Sequence, residues 1–271
     1  MRTHHMHYVV SDIHGHVDQL VGALQHAKLL DADREWCGGP ARLTVLGDLF
    51  DRGPDGIAVV DLIRRLQDEA RRAGGRVDAL LGNHEILALG MHRFGDRPVP
   101  STFGGRRSFA RSWALNGGRA GDQESLTDEH IAWLSGLNGS DLAGPDLLVH
   151  SDTTEYLRWG DSVEQINDAI RDVLAGDDLE QWWECWVRLT TRHAFAGMDG
   201  ERVALGLLNR LGGVRVVHGH SIIATIARGD SREVTGPLSY AGGRALDIDG
   251  GIYDGGPCLV VRLDHDPDLI A

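Results

Sequence analysis

Five short apolar runs, "YVVSD", "LTVLGD", "VDALLGN", "DLLVHSD" and "VRVVHGH", each break off in aspartate, asparagine or histidine. Short apolar runs closed by such breaks suit buried strands, so five strands end in groups able to bind metal or move protons. After the first run, Val17, Leu20, Val21, Leu24 and Ala27 recur at helical spacing, which puts Asp12 and His14 where strand passes to helix. Ligands of open α/β sheets gather there, beyond the carboxyl ends of strands and beside helix N-termini.

Helical patterns separate the first three strands, among them "IAVVDLIRRLQDEARRA". The alternation predicts a layered α/β fold. After "GNHE" the texture changes to "RFGDRPVPSTFGGRRS" and then to helical patterns around "FARSWALN" and "DEHIAWLSGL", which reads as a cap or insertion over about 91–145. A second helical insertion is expected over about 162–211, with "QWWECWVRL" inside it, and the late runs "RALDID" and "CLVVRL" predict strands that close the sheet. No repeat or linker divides the 271 residues, so one elaborated domain is expected.

Charge and cysteine content narrow the partners. Forty acidic residues against 27 basic ones give a formal charge of −13, which repels a long phosphate backbone unless basic groups are concentrated locally. Cys37, Cys185 and Cys258 are too scattered for a disulfide framework or a thiolate zinc site, and ordinary buried or partly buried thiols are expected. The opening "MRTHHMHYVV" has no secretory apolar segment, and no run approaches the roughly 20 apolar residues that span a bilayer. A cytoplasmic location without a membrane partner is expected. His4, His5 and His7 read as part of a mobile terminus, and the closing "DHDPDL" as a solvated acidic tail.

The polar groups at the strand ends are Asp12, His14, Asp48, Asn83, His84, His150, His218 and His220. Each alone has an ordinary explanation, as a cap, a loop carboxylate or an imidazole bonded to a carbonyl. Their recurrence at successive strand ends does not, because packing does not demand metal-binding residue types at every one. Oxygen and nitrogen donors without thiolates suit Mn²⁺, Fe or Zn²⁺, and two such ions need a bridging ligand, for which a carboxylate such as Asp48 is apt.

The motif order resembles the calcineurin-like metallophosphoesterases, and within them the phosphoprotein (serine/threonine) phosphatases of bacteria and phage lambda. "SDIHG" is similar to GDxHG and "GDLFDRG" to GDxVDRG, "GNHE" matches outright, and "VHSD" and "HGHS" supply two later histidine blocks. "WALNGG" and "LDIDGGIYDGGPCLVVRL" also look like segments of the phage enzyme, so the resemblance spans nearly the whole chain, the insertions loosely. It implies a central β-sandwich flanked by helices and two divalent metals, manganese first, with iron or zinc as alternatives. Carried over, it assigns Asp12 and His14 to the first metal, Asp48 to the bridge, and Asn83, His150 and His220 to the second. His220 is preferred to His218 because the family's ligand follows a glycine, and His218 then has either a structural role or that of a support behind the ligands.

The same resemblance implies attack by a water shared between the metals, His84 as the acid that protonates the leaving oxygen, Asp51 as the group orienting its ring, and Arg52 as a clamp on the phosphoryl oxygens. A second phosphate-binding arginine follows a tryptophan by two positions in the phage enzyme. Arg188 stands at that spacing, with Arg192 as its competitor. Trp182, Trp183 and Trp186, at helical spacing, read as core. Arg106, Arg107 and Arg111 form a small basic patch, either a solvated face or a contact for a phosphopeptide or nucleotide. The expected activity is a metal-dependent phosphomonoesterase of the protein phosphatase kind, acting on a phosphorylated protein, peptide or small phosphate ester. A dinucleoside tetraphosphate hydrolase and a nucleotide or metabolite phosphatase stand as alternatives, since Ser11 replaces the usual glycine of the first motif. A noncatalytic phosphate-binding scaffold is the non-enzyme alternative, and it is disfavoured because no ligand is missing.

Overall fold

The computed structural model describes residues 6–100 and 107–263. His4, His5, Arg106 and the "DHDPDL" tail lie outside the described residues. Strands β1 (His7–Val10), β2 (Arg42–Val45) and β3 (Arg76–Ala79) are parallel, joined by helices α1 (Val17–His26) and α2 (Gly56–Arg72). The register aligns Val10, Val45 and Ala79, so all three strands stop at one edge. From that edge α3 (Asn83–Phe94) departs. Three short helices follow, α4 (Phe109–Leu115), α5 (Ala120–Ser125) and α6 (Asp128–Ser135). The chain then enters a second sheet through the hairpin β4 (Ser140–Ala143) and β5 (Asp146–Val149).

The expected second insertion is helical: α7 (Val163–Ala175), α8 (Leu179–Thr190) and α9 (Gly200–Leu211). Strand β6 (Arg215–His218) returns beside β5, followed by α10 (Ile223–Ala227), β7 (Leu238–Tyr240), β8 (Ala245–Asp247) and β9 (Val261–Leu263). The sheets run β3-β2-β1-β9 and β4-β5-β6-β8-β7. The two late strands therefore close different sheets: β8 is parallel to β6, and β9 is antiparallel to β1. Two boundaries also differ from expectation. Residues 91–94 belong to α3, and β4 lies in the second sheet, inside the stretch read as insertion.

Side-chain alternation builds the layers. Val9, Leu46, Leu80, Leu148, Val217 and Leu246 pack together between the sheets. Val10, Val45 and Ala79 belong instead to the larger core that includes α1 and α2, and Leu147, Val149 and Val216 to the part that includes α7 to α9. Both faces of each sheet are thus covered, which explains why the strands read as unbroken apolar runs. Asp55 caps α2 by accepting from Ala58 N at 2.8 Å, and Val59, Ile63, Leu66 and Ala70 form the buried stripe of that helix.

Trp182 is buried edge-on to Phe94. Trp183 and Trp186 are only partly buried, packed on Phe109 and on each other. His7 does not belong to a loose terminus: it opens β1, is buried, and bonds Thr44 Oγ1 at 2.9 Å. Cys185 is buried and Cys258 half-buried, but Cys37 is exposed because the loop between α1 and β2 carries it outward. No helix of the described residues is long and apolar enough to cross a membrane.

Candidate active site

The loops that leave β1 and β2 hold their residues in a backbone conformation that side chains disfavour. Asp12, His14, Asp48, Asp51 and Arg52 all have positive φ, between 46° and 65°, and His220 at the end of β6 has 66°. Positive φ is found in a few per cent of non-glycine residues, at a cost of order 1–3 kcal/mol each. Backbone bonds donated by the first loop to the second hold both against that cost: Asp12 N to Gly47 O at 3.1 Å, His14 N to Asp48 O at 2.9 Å, Gly15 N to Leu49 O at 2.8 Å. Four of these side chains, Asp12, His14, Asp48 and His220, thereby bring donor atoms to one buried centre instead of alternately to either side, as a regular strand would.

Glu85 locks the second loop to the third. Its buried carboxylate accepts from Asp48 N at 2.9 Å, Leu49 N at 2.7 Å and Gly82 N at 2.8 Å, the last being the residue that precedes α3. Burial, then the charge of Asp48, pushes Glu85 up to about 7. Gly82 must lack a side chain, since a Cβ there would lie 2.3 Å from Asp48 Oδ1. Gly219 is equally constrained, its Cβ position being 1.9 Å from Ser11 Oγ and 2.1 Å from Asp12 Oδ2. Ser11, the departure from the first motif, donates its hydroxyl to that Asp12 oxygen.

Three histidines each give one ring nitrogen to a backbone carbonyl and turn the other inward. His14 Nδ1 donates to Phe50 O at 2.7 Å, His150 Nδ1 to Leu46 O at 2.8 Å, and His220 Nε2 to Thr190 O at 3.1 Å. Metal-ligating imidazoles are oriented in this way. His14 Nε2 is buried and has no hydrogen-bond partner. His150 Nε2 faces Asn83 Oδ1 at 3.0 Å and Asp48 Oδ1 at 3.4 Å, so three lone-pair donors converge with no proton between them. The donor set fits cations. Burial is the first cause holding His14 and His220 well below the ordinary histidine value, which keeps them in the neutral, ligating form. Asp48 is pushed well up by burial and by the charge of Asp12, an opposition that a divalent ion would reverse.

The donor atoms form two clusters, each within 4.8 Å, that share Asp48: Asp12, Asp48, His150 and His220 in one, and His14, Asp48 and His84 in the other. The six residues assigned as ligands are brought together, but their grouping differs from the expected division in that Asp12 reaches the His150 side. His84 is near the second cluster, yet both of its nitrogens are engaged. Nδ1 pairs with Asp51 Oδ2 at 2.7 Å, and Nε2 accepts from Arg52 Nη2 at 3.2 Å. Burial, then the charge of Arg52, holds His84 well below its ordinary value. Asp51 is pushed up to about 7 by burial, against the opposing bond from Trp113 Nε1 to its Oδ1 at 2.9 Å.

Arg188 is not brought to this centre. It sits within α8, pairs with Glu184 at 2.5 Å and lies over Trp159 at 5.4 Å. Arg192, two residues beyond the end of α8, is the arginine whose charge acts on His84, His220 and Tyr253. Asp152 tethers its loop, accepting from His193 N at 2.8 Å through its carboxylate while its carbonyl accepts from Ala194 N at 2.9 Å. His218 points elsewhere, bonding Gly219 O and Tyr240 Oη at 2.8 Å each, the first of the two roles expected for it.

The sequence model of the calcineurin-like phosphoesterases matches residues 8–223. The chain belongs to that family. Shewanella-like protein phosphatase 2 of Arabidopsis thaliana is 35% identical over 80 residues, which is 30% of this chain and 20% of the plant protein. The phosphoesterase thus spans about a fifth of the length of that relative. An uncharacterized protein of Schizosaccharomyces pombe is 28% identical over 97% of this chain and 79% of its own. The symmetrical bis(5'-nucleosyl)-tetraphosphatase of Cronobacter sakazakii is 34% identical over 82 residues, 30% of this chain and 24% of that enzyme. Among solved structures, the cold-active protein tyrosine phosphatase of a psychrophilic Shewanella species superposes with a TM-score of 0.71 at 22% identity, covering 97% of this chain and 76% of that one. The likeness establishes a shared fold.

Several residues that shape the phosphoesterase site escaped the reading of the sequence. Trp113 was visible only as part of "WALNGG", and Glu85 only as the last letter of "GNHE". Tyr253 was visible only inside "LDIDGGIYDGGPCLVVRL": its ring lies 4.0 Å from the Arg52 guanidinium carbon and edge-on to His14. Asp249 is buried behind it, and its Oδ1 accepts from Gly251 N at 2.8 Å in the turn that carries Tyr253. Asp152 looked like the tail of a histidine motif and is an anchor instead.

Proposed function

We propose that this phosphoesterase is a metal-dependent phosphomonoesterase that removes a side-chain phosphate, foremost from phosphoserine or phosphothreonine, in a protein or peptide. The observation that carries the reading is Asp48, shared by two buried donor clusters directly beside the Asp51–His84–Arg52 group. His14 and Asp48 would hold one cation, and Asp48, Asp12, Asn83, His150 and His220 the other. Manganese is favoured, and the same nitrogen and oxygen donors also suit iron or zinc. Two divalent cations, when bound, polarise phosphoryl oxygens and acidify water for in-line attack.

The chain's own groups do the rest. Arg52 leaves His84 Nε2 to grip two phosphoryl oxygens, since a guanidinium fork matches them and stays charged throughout. That frees Nε2 to carry a proton, which the negative charge of the incoming phosphate favours. The proton passes to the ester oxygen as the P–O bond breaks, while Asp51, itself held by Trp113, keeps the ring aligned. Arg192 adds a second cationic contact from the end of α8.

Hydrolysis of p-nitrophenyl phosphate with Mn²⁺, abolished by EDTA and restored by metal, tests the phosphatase. Absence of turnover with two metals bound would exclude it. A second reading, hydrolysis of dinucleoside tetraphosphates, draws support from the 34% identity over 82 residues to such an enzyme. Comparing phosphoserine, phosphothreonine and phosphotyrosine peptides with diadenosine tetraphosphate decides between them, and a strong preference for the dinucleotide would replace the first reading.

A further inference from the structure

Residues 91–119 contain six arginines, Arg93, Arg97, Arg106, Arg107, Arg111 and Arg119, and a single acid, Asp96, in a chain whose formal charge is −13. Elsewhere the surface arginines are mostly neutralised, as in Arg65–Glu69, Arg71–Asp68, Arg171–Asp168 and Arg210–Asp161. Among the described residues of this segment, Arg93, Arg97, Arg107, Arg111 and Arg119 are exposed and make no ion pair. Arg93 and Arg97 both lie over Phe94, at 5.9 and 5.5 Å, and Val99 N bonds Arg107 O at 2.8 Å, so the cations spring from one knot between α3 and α4. Asp96 is engaged there by Ser108 Oγ at 2.8 Å.

The knot leads into the active site from both ends. Helix α3 begins with Asn83 and His84, and at a rise of 1.5 Å per residue Arg93 stands roughly 14 Å along it. Two residues beyond Arg111, Trp113 bonds Asp51, and Gly117 O accepts from Arg52 N at 2.8 Å. An extended peptide rises about 3.3 Å per residue, so roughly four residues separate a phosphate at the centre from the arginines. We infer that the face carrying Arg93, Arg97, Arg107 and Arg111 binds acidic residues flanking the phosphorylated one, making the protein selective for acidic phosphopeptides. The inference rests on the phosphopeptide reading above and deepens it. A long nucleic acid is the poorer fit, because beyond this small patch it would meet an acidic molecule.

The test uses two phosphoserine peptides, identical except for four aspartates or four glutamines on either side of the phosphoserine, together with p-nitrophenyl phosphate and diadenosine tetraphosphate. The wild-type protein should favour the acidic peptide about tenfold in kcat/KM at low salt, and the preference should shrink as salt rises. Arg93→Gln/Arg97→Gln and Arg107→Gln/Arg111→Gln should each lower that preference about threefold, with p-nitrophenyl phosphate turnover unchanged. The second pair is independent of the packing on Phe94. Equal rates for both peptides overturn the inference alone, as does a preference that survives both double variants. Turnover of p-nitrophenyl phosphate without either peptide overturns the phosphopeptide reading and this inference together. Loss of diadenosine tetraphosphate turnover alone in the variants would reassign the face to a nucleotide.

Discussion

The edge where β1, β2 and β3 end and the turn that follows α8 both supply groups to one site, yet they are built by opposite means. At the strand edge each ligand sits within a few residues of its strand, and glycines, positive φ and backbone bonds between adjacent loops leave it one direction to point. After α8 nothing local decides. Arg188 and Arg192 lie four residues apart, and only the helix end at Thr190 and the tether to Asp152 send one toward the site and leave the other on Glu184. Short-range geometry makes a motif readable, whereas a tertiary tether makes a residue's role invisible until the chain is folded.

The largest expected effect lies on the strand side. Asp48→Asn should lower kcat/KM by at least about 10⁴-fold and reduce bound metal toward one ion or none, because a shared ligand contributes to both cations. Elemental analysis with a turnover assay checks this, and two ions retained at full activity would remove Asp48 from the bridge. Next comes the proton. His84→Asn should slow phosphoserine peptide on the order of 10²- to 10⁴-fold and p-nitrophenyl phosphate appreciably less, since p-nitrophenolate leaves without protonation. Equal slowing of both substrates, with metal content intact, would make His84 a phosphate contact instead.

The contrast between the two regions is sharpest at the arginines. Arg192→Ala should raise KM for a phosphopeptide about tenfold, while Arg188→Ala should stay within about twofold, as expected when one cation meets the phosphate and the other serves an exposed helix pair. The reverse ranking would restore Arg188 and break the comparison. The smallest effect concerns Trp113. Trp113→Phe keeps the ring packed but removes one bond to Asp51, worth about 1 kcal/mol, so phosphoserine turnover should fall about fivefold while p-nitrophenyl phosphate turnover hardly changes. Equal losses on both substrates would assign Trp113 to packing alone.

The strands, the layered α/β fold and the family itself were legible because a buried strand must be apolar on both faces and its motif must follow at once, whereas the parallel order β1-β2-β3 came from the pairing of the folded chain. The hairpin strand β4 was not legible: Leu142 is exposed and Asp141 breaks the run, so its place rests on pairing with β5. His7 was misread for a related reason, since it is held by pairing with β2, where its ring bonds Thr44, 37 positions away.

Glu85 and Tyr253 mark the same limit inside the site. Glu85 acts on backbone donors of two loops, and Tyr253 meets Arg52 across some two hundred residues of chain. What the sequence alone determined was therefore the set of donor types, their order and the strands that carry them, because these follow from hydrophobic period and from glycines at positions where a side chain cannot fit. What only the tertiary structure decided was how Asp12 and His84 group around Asp48, which arginine faces the site and which groups hold the Asp51–His84 pair in line. Those are contacts between segments far apart in the chain, set by packing that leaves no periodic trace.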